Sequence, residues 1–182
     1  VAIVGDHELL HATKGTVYFQ YVNAALKDDH DYIELAEESA RRVFALKPDS
    51  PHGLALLGLV RLLQSRQPES VRLFKRALAL DPHSWYAIVE LGRIYHCAGR
   101  FSEARTQYSA GLAVDPMSPI LRGALLSNEM MAGHLDIALR ELPALVQAVP
   151  PFGYLRWTYA RSLIAAGRVA EALVVLEAMP EE

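Results

Sequence analysis

Leu125, Leu126, Glu129 and Met130, and after a break Ile137, Ala138, Leu142 and Leu145, recur at spacings of three and four residues. That spacing puts them on one face of an α-helix, and no strand-like alternation competes with it. The apolar stripes stop at a fixed interval. Pro48, Pro82, Pro116 and Pro150 stand 34 residues apart and each closes a helix-length stripe, as proline does where a helix ends. Gly99-Arg100, Gly133-His134 and Gly167-Arg168 keep the same interval between the two stripes of one period, where a helix C-terminus favours glycine. One period is therefore a pair of helices, and the chain is expected to be an all-α stack of about five hairpins.

Other positions keep this phase. Ala36, Ser70, Ala104, Ala138 and Ala172 form a row of small residues. Gly58 and Gly92 form a second, with Ala24 and Ala160 in register and Leu126 as its exception. Phe74, Tyr108, Leu142 and Leu176 form a row of large apolar side chains, preceded in phase by Ala40. Antiparallel helices approach closely only where small side chains face each other, and the large row then fills the space toward the neighbouring hairpin.

These rows resemble the tetratricopeptide repeat. Leu91-Gly92-Arg93-Ile94-Tyr95, then Ala98-Gly99-Arg100-Phe101-Ser102-Glu103-Ala104, Tyr108 and Asp115-Pro116 are close to the consensus of that family. The resemblance runs over residues 17–182 as repeats 17–50, 51–84, 85–118, 119–152 and 153–182. Asn23 and Lys27 in the first repeat, and Leu126 and Glu129 in the fourth, depart from it. Residues 1–16 are expected to form a separate N-terminal segment, a helix of a degenerate preceding repeat. The resemblance implies an α-solenoid coiled as a right-handed superhelix, with the first helix of each repeat lining a concave groove.

By the same resemblance the groove would be lined by Tyr18, Tyr21, His52, Tyr86, Val89, Arg93, His96, Ile120, Ser127, Met130, Tyr154, Trp157 and Arg161, with Ala55, Leu59, Gly123 and Ile164 beside them. Aromatic side chains and arginine dominate binding energy at protein interfaces. The implied function is a scaffold that binds a protein or peptide with apolar anchors and an acidic group. The competing reading is that these side chains pack against neighbouring helices, or that each Arg pairs with a carboxylate such as Glu90. A receptor for chaperone C-termini is disfavoured, because the Lys and Asn positions of that clamp read Tyr21, Ala25, Ala55, Leu59, Val89 and Arg93 here.

Composition narrows the partner. With 52% apolar residues and a formal charge of -3 over 182 residues, the chain is neither disordered nor basic enough to suggest nucleic acid. No apolar run is long enough for a membrane span. One cysteine, Cys97, cannot form an internal disulfide, which suits a reducing cytoplasm. Val1 in place of Met, and a likeness to the tetratricopeptide tails of large bacterial signalling and regulatory proteins, suggest a part of a longer protein.

His7-Glu8-Leu9-Leu10-His11 spells HExxH, in which two His one helical turn apart bind zinc and the Glu activates water. A zinc metalloprotease built on His7, Glu8 and His11 is the alternative function. It lacks a third ligand by spacing, and His30, Asp28, Asp29 and Asp31 read better as a polar turn. His96-Cys97 has no second cysteine at ligand spacing, and there is no glycine-rich phosphate loop or serine elbow. No enzyme activity and no cofactor are expected. The stretch from Val169 to Met179 is apolar around much of its circumference, which implies self-association through the C-terminal helix or a continuation of the stack.

Overall fold

The computed structural model describes residues 6–25, 29–149 and 153–178; Lys27, Asp28, Pro150 and Met179 lie outside them. All regular structure among the described residues is helical. The elements are α1 (Glu8–Asn23), α2 (Asp29–Leu46), α3 (Pro51–Leu63), α4 (Gln67–Leu80), α5 (Trp85–Cys97), α6 (Phe101–Val114), α7 (Pro119–Met131), α8 (Leu135–Ala148), α9 (Gly153–Ala165) and α10 (Val169–Glu177). The chain divides into two compact units, Val1–Glu90 and Leu91–Glu182, and the division falls within α5.

From α3 onward the period is strict: α3, α5, α7 and α9 begin and end 34 residues apart, as do the starts of α4, α6, α8 and α10. The first hairpin departs from it. The expected boundary at residue 17 falls inside α1, so residues 8–16 continue the helix that carries Tyr18 and Tyr21. Its turn follows Asn23, with Ala25 in the left-handed region at φ 53°.

The turns show why the period is punctuated as it is. Ser50 and Ser118 cap α3 and α7, accepting from the N–H of Gly53 and Leu121, and Pro51 and Pro119 open those helices. Asp81 and Asp115 each accept from the backbone two residues on. At the inner turns Gly99, Gly133 and Gly167 have φ of 72°, 95° and 76°. The residue after each glycine returns its N–H to a carbonyl five back, as from Arg100 to Tyr95 at 2.8 Å. Ser65 holds the same phase at φ 59° without being glycine. Pro143 sits inside α8 without ending it.

In the first unit the core gathers Ala36, Ala40, Leu56 and Val60, with Tyr18, Ile33 and Leu57 packed against it. In the second it gathers Leu126, Ala138, Leu142, Leu145, Val146 and Leu155, then Ala160, Leu163 and Ala172. All five members of the first small row are buried. The second small row and the large row face each other: a Cβ added to Gly58 would lie 2.6 Å from the Phe74 ring, and one added to Gly92 would overlap the Tyr108 ring more closely still. Leu126 breaks the small row and shares a buried cluster with Leu142, its opposite number, which is smaller than Phe or Tyr.

Each unit also carries a charge pair that joins one hairpin to the next. In the first, Arg61 on α3 donates to Glu37 on α2 at 3.1 Å, and Gln64 adds a bond at 3.0 Å. In the second, Arg105 on α6 pairs with Glu129 on α7, which also meets His134 Nδ1 at 3.0 Å. The positions are the same in phase, two repeats apart, with the signs exchanged. In both cases the better-buried partner lies on the first helix of its repeat, Arg61 at 14% and Glu129 at 5% side-chain exposure.

Candidate functional site

In the first unit residues of α1, α3 and the start of α5 line one concavity. Along α1, Leu9, Ala12, Thr13, Thr16, Val17, Gln20 and Tyr21, with Ala24 at its C-cap, fall at helical spacing on one stripe, and His52, Ala55, Leu56, Trp85 and Tyr86 line the same concavity. Together with Asp81, His83 and Ser84 they enclose an open concavity of about 600 Å³. Its lining is mainly apolar, with a few polar groups at the margin, as expected of a surface that accepts apolar side chains and orients them by sparse hydrogen bonds. Leu9, Val17 and Tyr21 are exposed at 44%, 46% and 39%, so the stripe is unsatisfied apolar surface.

Of the expected groove residues in this unit, Tyr21, His52 and Tyr86 line the concavity. Tyr18 instead packs against the helical core and lies 5.7 Å, ring to ring, from Tyr32. Val89 is half-buried and does not line it. A repeat boundary at residue 17 leaves out the α1 residues from Leu9 to Thr16. Their spacing of three and four is the signal that finds them, and the HExxH letters within it draw attention elsewhere.

In the second unit the expected residues divide. His96 is spent inward, with Nδ1 3.2 Å from Asn128 Oδ1 and its ring against Phe101. Asn128, fully buried, donates in turn to the Phe101 carbonyl at 3.0 Å. Ser127 is buried, and Met130 packs on the core with its sulfur accepting from Ser162 at 3.3 Å. Arg93 is exposed and partnered. Ile120, Tyr154 and Trp157 are exposed at 41%, 37% and 47%. On α9 the Tyr154 and Trp157 rings stack at 6.2 Å, and the Arg161 guanidinium lies 4.5 Å over the indole. Burial of its hydroxyl pushes the Tyr154 phenol up, against hydrogen bonds with Thr158 and Ser127 that pull it down.

The HExxH residues have structural employment. His7 caps α1 by accepting from the Leu9 N–H at 3.2 Å, and Glu8 pairs with Lys47 at 3.1 Å. His11 bonds Asp6, which also holds Arg42. Among the described residues no group of three His, Cys, Asp or Glu side chains is placed to hold a metal ion, and no helix is long and apolar enough to cross a membrane.

Models of the tetratricopeptide repeat match residues 25–84, 68–127 and 153–178. The chain is a tetratricopeptide repeat protein. Among solved structures it is similar to MamA of MSR-1 (17% identity, 94% of this chain and 93% of that one, TM-score 0.63). It is also similar to pilF of Pseudomonas aeruginosa (14%, 94% and 79%, TM-score 0.71) and to a thermophilic tetratricopeptide protein of Thermus thermophilus (17%, 91% and 87%, TM-score 0.71). At these identities the likeness carries the fold alone. No curated protein matches the chain. Within the tetratricopeptide frame, the exposed side chains of α1, α3 and the start of α5, and those of α9, belong to the first helices of their repeats.

Proposed function

We propose that the chain is a protein-interaction scaffold that holds a peptide or protein partner against the first helices of its repeats. The observation that carries this reading is the open, apolar concavity of about 600 Å³ between α1, α3 and the start of α5. Tyr21 and Tyr86 both line it, and rigid aromatic rings give large contact area at small entropic cost. A random peptide library displayed on phage and selected on the whole chain supplies test ligands, whose affinities are then measured by titration calorimetry. Tyr21→Ala with Tyr86→Ala is expected to weaken them by at least about tenfold, roughly 1.4 kcal/mol. Arg72→Ala, on the exposed side of α4, is expected to leave them unchanged. Equal affinity for both variants, with helicity intact, contradicts the reading.

The bacterial signalling likeness and the lone cysteine support a docking arm of a larger regulatory protein working in a reducing cytoplasm. A second reading is favoured by α10, where Val169, Leu173 and Val174 are exposed at 62%, 56% and 66%. This apolar face supports self-association through the last helix.

A further inference from the structure

The HExxH letters fall on a turn of α1 that apolar packing leaves unburied. Leu9 and Leu10 are both exposed, and the first buried residue of the helix is Ala12, followed by Gly15 and Phe19. Charges hold the turn instead. Glu8 pairs at 3.1 Å with Lys47, just past the end of α2, while Asp6 holds both His11 and Arg42 of α2. Glu8 is the best buried of these partners, at 14% side-chain exposure. Burial pushes its carboxyl up, yet the Ser50 hydroxyl and the Lys47 ammonium hold it below its usual value.

What these contacts hold belongs to the site. Leu9, Ala12 and Thr13 line the concavity together with Tyr21 and Tyr86, and all three lie within two helical turns of Glu8. Arg42 and Lys47 do not line it. A terminal helical turn with little buried apolar surface opens locally at small cost. Ion pairs as exposed as Asp6 with Arg42 are individually modest, but here they need only oppose the fraying of one turn. A ligand that requires the turn to be formed binds in proportion to the fraction of chains in which it is formed.

We infer that Asp6 and Glu8, with Arg42 and Lys47, form an ionic latch that keeps the first turns of α1 formed, so that charges outside the concavity set its affinity for a peptide. Arg42 and Lys47 are positioning residues. Their work is electrostatic and is screened by salt, whereas contact between apolar side chains and the concavity is not weakened by it. The inference rests on the protein-binding reading above and adds to it the means by which that site is kept assembled.

The test uses the whole chain and library-selected peptides that contain no ionisable side chain and are acetylated and amidated at their ends, so that the ligand carries no charge to screen. Arg42→Ala with Lys47→Ala is expected to weaken these peptides about three- to tenfold in titration calorimetry, as the open turn becomes populated. Arg42→Lys with Lys47→Arg, which keeps both charges, should retain the affinity of the parent. Raising sodium chloride from about 0.1 M to about 1 M should weaken binding to the parent but not to the double alanine variant. Hydrogen exchange in the free double alanine variant should quicken over residues 8–13 and not in α3 or α4. A double alanine variant that binds as tightly as the parent, or that exchanges faster over residues 8–13 with affinity unchanged, overturns the inference. The scaffold reading then stands if Tyr21→Ala with Tyr86→Ala weakens the same peptides. A library that yields no binder overturns both.

Discussion

Replacing Arg105 strands a buried charge. Glu129 is only 5% exposed, and Arg105 Nη2 and His134 Nδ1 are its partners. Removing one partner of a buried pair costs about 3–5 kcal/mol when both are sequestered. Arg105 itself is 48% exposed, so water reaches the site and His134 remains beside the carboxylate. The expected loss for Arg105→Ala is then about 1–3 kcal/mol. Arg105→Glu should lose more, because it sets like charges together, and Glu129→Arg should too. The double variant Arg105→Glu with Glu129→Arg reproduces the arrangement that Glu37 and Arg61 show two repeats earlier, at 3.1 Å. It should return to within about 1 kcal/mol of the parent, giving a coupling of at least about 1.5 kcal/mol. Urea unfolding followed by far-ultraviolet circular dichroism measures it, compared by midpoint with the slope held constant, since repeat arrays can lose cooperativity. A double variant no more stable than the sum of its singles would refute the reasoning: the pairs would then be incidental to how hairpins join.

Four other outcomes are expected. Ser65→Gly should stabilise the chain by about 1 kcal/mol in the same assay, because Ser65 sits at φ 59°, where an L side chain costs about 1–2 kcal/mol. Gly92→Ala should destabilise by about 1–2 kcal/mol, the overlap with Tyr108 exceeding the helix-propensity gain; Tyr108→Leu should relieve it, as Leu142 does opposite Leu126. Arg61 holds the Glu37 carboxyl below its usual 4.5. That stabilisation is present above the usual value and is lost as pH falls through the lower folded one, so Glu37→Gln should lose less stability than the parent between about pH 7 and pH 3. Leu173→Glu should lower self-association in sedimentation velocity without lowering the melting temperature, because Leu173 is 56% exposed.

Much of the fold is legible in the sequence because its repeats impose the same physical demands at the same interval. Pro82 and Pro116, the turn glycines and the buried small row can be read without coordinates, since each marks a place where only a few residue types fit. The first two turns resist this reading. Ala25, after α1, and Ser65, after α3, adopt left-handed conformations that glycine would have announced, and α1 runs back to Glu8 with no break at residue 17. The candidate site is only half legible. Spacing places Tyr21, Tyr86, Trp157 and Arg161 on first helices, but it does not say which side chains turn inward. His96 is committed to Asn128, and Met130 and Tyr18 to the core, by neighbours distant in sequence. The exchange of signs between Glu37–Arg61 and Arg105–Glu129 is visible only once the helices are paired.

Hydrogen exchange on the whole chain, with and without a saturating peptide selected from the library, reads out where a partner lies. Binding at the concavity predicts slowed exchange in α1, α3 and the start of α5, with α4 and α6 unchanged. Protection confined to α4, α6 and α8, or none at saturation, would contradict a scaffold that works through its first helices.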